Sequence, residues 1–181
     1  MIRRKICLLG AFAVGKTSLV RRFVHSLFDE RYQTTIGVKI DKKLVLTTTH
    51  DGRALEVTLV IWDIHGEDEL QKVRASYLRG SSGLLFVVDG TRRATLDVAL
   101  ELEARARAEI GDIPTRVLLN KADLVDAWEV DPAEVRAASG GRWAPVATSA
   151  RSGAGVEEVF QSLVRAIALA DAGQDTPPEG V

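Results

Sequence analysis

Six apolar residues near the end of the chain, Val156, Val159, Phe160, Leu163, Val164 and Ile167, recur at i, i+3, i+4, i+7, i+8 and i+11. That spacing puts all six on one stripe of a helix, the side that faces a core. Leu19, Val20, Phe23, Val24 and Leu27 repeat at the same period and predict an earlier helix. Between Ala94 and Ile110 a segment rich in Ala, Leu, Glu and Arg predicts a third, stopped by Gly111 and Pro114. Other apolar runs are short and bounded by glycine or polar residues: Lys5 to Leu9, Leu84 to Asp89 and Arg116 to Asn120. These read as strands buried on both faces. Residues 38 to 63 read as two long strands joined at Asp51-Gly52, and Ala144 to Thr148 as a last strand with Pro145 near its start.

Strands alternating with helices predict an α/β, doubly wound fold: about six mostly parallel strands with one antiparallel hairpin, and about five helices on the two faces. Ligands of such sheets bind beyond the carboxyl ends of the strands. A chain of 181 residues with 46% hydrophobic side chains fits one domain and is too short for two ordinary ones. The domain is expected over residues 1–171. From Asp171 the chain offers nothing to bury, and residues 172–181 are expected to be a disordered tail.

The 24 Lys and Arg and the 25 Asp and Glu leave a net charge of −1, so no electrostatic attraction to nucleic acid or anionic lipid is expected. One cysteine, Cys7, excludes an internal disulfide and fits a reducing, cytoplasmic setting. The apolar run after Arg3-Arg4-Lys5 imitates a signal peptide, but it leads into Gly15-Lys16-Thr17 and not into a small-residue cleavage site. With no glycine after Met1 and no cysteine near Val181, no intrinsic membrane anchor is expected.

The chemistry sits at the strand ends. Gly10-Ala11-Phe12-Ala13-Val14-Gly15-Lys16-Thr17 matches G-x-x-x-x-G-K-[ST] between a predicted strand and helix. Backbone N–H groups of such a loop, here Ala13 to Ser18, turn inward around a β-phosphate at the positive end of the helix. Lys16 would reach the β- and γ-phosphates, and Thr17 would bind Mg²⁺. Asp63 ends its strand and would hold the metal shell, while the Gly66 N–H would approach a γ-phosphate. Thr35 would add a hydroxyl to the metal only when a γ-phosphate closes its loop. Asn120-Lys121-Ala122-Asp123 follows a buried strand, and an Asp carboxylate there accepts from both N1–H and the 2-amino group of guanine, a pair that adenine lacks. Ser149-Ala150-Arg151 follows the last strand, where the Ala150 N–H could meet the guanine O6. Each motif alone has an ordinary structural explanation; their order along one chain does not.

With these motifs in sequence, the chain resembles the Ras superfamily of small GTPases from about Lys5 to Ala170, in particular its Rab-like branch and the related bacterial proteins. The resemblance implies a switch that binds GTP and GDP with Mg²⁺ and hydrolyses GTP, working as a monomer with effector, exchange and activating proteins. It also implies that Phe28 packs edge-on to the guanine, that Lys121 and Arg151 lie along its faces, and that Tyr32 belongs to the first switch loop. Three departures stand out. The second-switch segment reads Trp62-Asp63-Ile64-His65-Gly66-Glu67-Asp68, so Glu67 occupies the place of the water-orienting Gln and His65 lies beside it. Phe12 stands where the family favours small residues that admit a catalytic arginine. The interval from Thr35 to Asp63 is several residues long of the family pattern. Slow hydrolysis is therefore expected, and a GTP-binding scaffold with negligible hydrolysis is the rival. His25 and His50 have no metal-ligand spacing, and the Arg21-Arg22 and Arg92-Arg93 pairs read as solvated faces.

Overall fold

A computed structural model describes residues 2–28, 37–49, 51–64 and 75–174. Among them, one sheet runs in the order β2-β3-β1-β4-β5-β6. Its strands are β1 (Ile2–Leu9), β2 (Val38–Thr48), β3 (Ala54–Ile64), β4 (Gly83–Asp89), β5 (Thr115–Asn120) and β6 (Val146–Ala147). Only β2 and β3 pair antiparallel, Val38 opposite Ile64 and Thr48 opposite Ala54, closed by the turn at Asp51 and Gly52 that the dipeptide predicts. All other neighbours are parallel. Eleven residues in each of these strands account for the long interval before Asp63.

Why the central strands read as unbroken apolar runs is visible in where their side chains go. Alternate residues feed two separate cores, so neither face is left for water. Ile6, Leu8, Leu85, Val87 and Leu118 join the core beneath α1 (Lys16–His25) and α5 (Val156–Gln174). Cys7, Leu9, Leu84, Phe86, Val88, Val117 and Leu119 join the other, beneath α3 (Ala94–Ile110) and α4 (Pro132–Ala138). Phe23 of α1 stacks on Phe160 of α5 with ring centroids 3.9 Å apart, which locks the two helices together. All six residues of the α5 stripe are buried. Cys7 is buried too, its Sγ 3.1 Å from Ser81 Oγ, and burial pushes its thiol pKa up.

Three boundaries differ from the sequence expectation, and three short elements were not anticipated. Helix α1 ends at His25, because Ser26 takes a left-handed conformation (φ 57°) whose N–H closes on Arg22 O and Arg21 O. Leu27 therefore leaves the apolar stripe and stands 64% exposed. The last strand is only two residues long; Pro145, which has no N–H to donate, precedes it. Helix α5 runs to Gln174, three residues into the segment expected as a tail, and Arg4 on β1 pairs with Asp171 (Nη2 to Oδ2, 2.8 Å) near its end. Finally, α2 (Ala75–Leu78), a 3₁₀ helix (Ala122–Ala127) and α4 had no apolar period to announce them. The start of α4 did carry a signal: Asp131 accepts from Ala133 N at 2.7 Å and Pro132 opens the helix.

Candidate functional site

The parallel strands end together. Leu8 stands opposite Asp63, Asp89 opposite Asn120, and Leu119 opposite Ala147, so Gly10, Asp63, Asp89, Asn120 and Thr148 leave the sheet along one edge. Most of what the sequence marked, among the described residues, lies at these strand ends or on the segments that follow them, including the first turn of α1 and the 3₁₀ helix.

After β1 the chain makes a glycine-dependent turn. A Cβ on Gly10 (φ 149°) would lie 2.3 Å from the Val87 carbonyl oxygen, and one on Gly15 (φ 99°) 2.3 Å from Asn120 Nδ2. Ala13 adopts a left-handed φ of 59°. Val14 is buried, and Thr17 and Ser18 sit half-buried in the first turn of α1. The Lys16 ammonium folds back over the loop, donating to Gly10 O at 2.9 Å and Ala11 O at 2.8 Å. It is 6% exposed. Burial lowers its pKa to about 8, the Asp63 carboxylate opposing that and Arg92 adding to it, so it remains a cation at neutral pH.

Thr17 donates from Oγ1 to Asp63 Oδ2 at 2.5 Å. The other oxygen, Asp63 Oδ1, is buried with no hydrogen-bond partner among the described residues. An unsatisfied buried carboxylate oxygen is costly and calls for a cation or water. Burial raises the Asp63 pKa, with the Thr17 hydroxyl and Lys16 working against the rise. An alcohol and a carboxylate oxygen are hard donors that suit Mg²⁺. The pair therefore fits that ion.

Asn120 joins the phosphate loop to the loop after β6. Its Nδ2 donates to Val14 O at 2.9 Å, and its Oδ1 accepts from Ala150 N at 3.2 Å. Ser149 Oγ donates to Asp123 Oδ1 at 2.6 Å, which links the segment after β5 to the loop after β6. Lys121 has a left-handed φ of 71°, and its Nζ donates to Asp89 Oδ2 at 2.6 Å. Phe28 is half-buried against the α1–α5 core. Arg151 is exposed. Thr35, Gly66 and Glu67, with Tyr32, His50 and His65, lie outside the described residues.

Four residues join this site without having been marked. Asp89, fully buried at the end of β4, accepts from Lys121, from Thr91 Oγ1 at 2.7 Å and from Arg92 Nε at 2.8 Å. The Trp128 indole donates to Lys121 O at 3.1 Å and packs on Gly90, where a Cβ would fall 2.5 Å from the ring. Arg22 donates to the carbonyls of Ala150, at 2.8 Å, and of Arg151. Arg22 is thus half-buried rather than part of a solvated face, and Arg92, although exposed, bonds Asp89 and the phosphate loop. Arg93 is the more ordinary of its pair, bonding Asp97 and Glu134 on the helical surface. Asp89 had a visible signal, since it ends a buried strand just as Asp63 does; the two arginines had none.

The Ras family model matches residues 5–169 of this chain. Ras-related protein Rab-32 of Homo sapiens is 31% identical over 172 residues, covering 90% of this chain and 74% of the relative. Ras-related protein Rab-4 of Dictyostelium discoideum is 33% identical over 165 residues, 90% of this chain and 78% of the relative. Ras-related protein ralB-B of Xenopus laevis is 32% identical over 172 residues, 92% and 80%.

Proposed function

The chain belongs to the Ras family, whose members bind GTP and GDP with Mg²⁺ and hydrolyse GTP, and on that premise we propose how its own residues divide the work. Asp123 reads the N1–H and 2-amino edge of guanine, and the Ala150 N–H meets O6. Ser149 orients the Asp123 carboxylate, and Phe28, Lys121 and Arg151 enclose the base. Backbone N–H groups of Ala13 to Ser18 hold the phosphates, with Lys16 leaving its two loop carbonyls to reach them. Thr17 and Asp63 hold Mg²⁺, joined by Thr35 in the triphosphate state. The bound ion neutralises charge on the β- and γ-phosphates. Water attacks the γ-phosphorus in line as the bond to the β–γ bridging oxygen breaks, GDP leaves and the water's proton ends on the released phosphate, while Lys16 and the Gly66 N–H would stabilise the developing charge and Glu67 would face the water.

The observation that carries this reading is Asn120, which bonds the phosphate loop with one amide atom and the loop after β6 with the other. A phosphate cradle and a guanine reader held by one side chain make a continuous nucleotide site. A second reading, a GTP-binding scaffold with negligible hydrolysis, is favoured by Phe12, which stands 36% exposed at the tip of the phosphate loop. In both readings the working unit is a cytoplasmic monomer spanning β1 through α5, which presents its nucleotide state to effector, exchange and activating proteins. Among the described residues no helix is long and apolar enough to cross a membrane.

Identifying the nucleotide released by acid from purified protein tests the site: guanine nucleotide is expected, and adenine nucleotide alone would overturn the assignment of Asp123. Phosphate release from Mg²⁺-GTP separates the two readings. Slow but measurable turnover supports the switch, and none beyond a nucleotide-free blank supports the scaffold.

A further inference from the structure

Helix α1 begins at the phosphate loop, and six residues further along Arg22 reaches the opposite end of the nucleotide site. At 1.5 Å per residue this is a rigid span of about 9 Å. Arg22 does not point to solvent there. Its Nε donates to Ala150 O at 2.8 Å, its Nη2 to Arg151 O, and its Nη1 lies 3.4 Å from Ser26 O. Its guanidinium carbon stands 6.0 Å from the centroid of Phe28. The stem packs beside Gly153 of the loop after β6, where even a Cβ would make an ordinary contact, 3.6 Å from Arg22 Cδ.

From the other side, Asn120 Oδ1 accepts the Ala150 N–H. Residue 150 therefore donates its N–H to Asn120 and offers its carbonyl to Arg22, which also holds the next carbonyl; a base at the site would share that N–H with Asn120 or take it over, while Arg22 keeps the carbonyl side fixed. A planar guanidinium donating two charge-assisted bonds fixes direction as well as distance, which a single ammonium does not.

We propose that Arg22 is a specificity-determining positioning residue: it aims the Ala150 N–H at the 6-oxo group of guanine and couples that contact to α1, whose other end holds the phosphates. In this role Arg22 need not touch the nucleotide. It acts through the backbone of Ala150 and Arg151 and lies beside Phe28, at the start of the first switch segment. The inference rests on the assignment of Ala150 and Asp123 to the base.

The test compares affinities of the full chain with Mg²⁺ for GDP, 6-thio-GDP and IDP. The thio analogue keeps N1–H and the 2-amino group and offers a weaker acceptor only at position 6; IDP lacks only the 2-amino group. The parent is expected to prefer GDP over both. In Arg22→Ala the preference over 6-thio-GDP falls about tenfold, the scale of one charge-assisted bond, and the preference over IDP stays. Arg22→Lys falls between, and decides the matter if the alanine variant does not fold. An unchanged GDP to 6-thio-GDP ratio in the variants, with the parent discriminating normally, overturns the proposal alone. A parent that does not prefer GDP over IDP overturns the base-site assignment and this proposal with it.

Discussion

Arg92 donates from Nη2 to the carbonyl of Phe12 at 2.8 Å, across the outer side of the phosphate loop. Its Nε is held by Asp89, the buried carboxylate that also takes the Lys121 ammonium. One carboxylate thus steadies both the tip of the phosphate loop and the lysine assigned to the guanine face. The unusual Phe12 is held at its backbone by an equally unexpected arginine.

Loss of that hold should loosen the loop around the phosphates. Arg92→Ala is expected to speed GDP dissociation by roughly tenfold, since a charge-assisted bond contributes about 1.5–3 kcal/mol at most and the site is part-exposed. Arg92→Lys should recover part of the effect, because one ammonium does not span Asp89 and Phe12 as the guanidinium does. Fluorescent-nucleotide release followed by stopped flow measures it. Equal rates in parent and both variants would mean that the contact does not bear on the nucleotide.

Acid stability reports on Asp89. Burial by itself raises the pKa of this carboxyl, but bonds from Lys121, Thr91 and Arg92 outweigh burial and hold it below the usual carboxylate range. A depressed native pKa contributes stability above the unfolded value of about 3.9, and that contribution is lost as pH falls through the lower native one. Asp89→Asn should therefore be the less stable protein at pH 7 and lose less stability than the parent between about pH 4 and pH 2. Urea midpoints across that range check the sign. Parallel curves would show that Asp89 carries no linkage.

On the proposed assignment, base choice rests on Asp123, whose Oδ1 accepts from Ser149 Oγ. Asp123→Asn should weaken GDP binding, since two charge-assisted bonds are lost at about 1.5–3 kcal/mol each. Xanthosine diphosphate should gain, because its 2-oxo group accepts from an amide. Isothermal titration with both nucleotides reads the exchange; unaltered GDP affinity would remove Asp123 from the site.

Glu67 sets the expected rate. A Gln can accept from the attacking water and donate to a phosphate oxygen, whereas an ionised Glu only accepts. Its charge would also oppose the phosphate by about 4 kcal/mol for unit charges 4 Å apart at an effective dielectric near 20. Single-turnover hydrolysis should be faster in Glu67→Gln than in the parent. A parent that is faster than both Glu67→Gln and Glu67→Ala would make Glu67 the general base. A rate that changes near pH 6.5 and is lost in His65→Ala would assign the water to His65.

What the sequence by itself determined is whatever repeats or is spelled out locally. The α5 stripe, the span of α3 to Gly111 and the Asp51-Gly52 hairpin need only neighbouring residues, since period and turn chemistry are short-range properties. The phosphate loop and Asn120 to Asp123 were legible for the same reason: their chemistry is packed into a few consecutive positions. Elements too short to show a period, such as α2, α4 and the 3₁₀ helix, were not placed, and a left-handed Ser26 took Leu27 out of a stripe that spacing alone had granted it. The tertiary structure decided which charged side chains serve the site. Arg22 and Ala150 are 128 positions apart, Arg92 and Phe12 80, and Lys121 and Asp89 32. Nothing local distinguishes Arg22 from Arg21, or Arg92 from Arg93. Only the parallel pairing of the strands, which brings all their carboxyl ends to one edge, gives Arg22 and Arg92 carbonyls to hold at that edge.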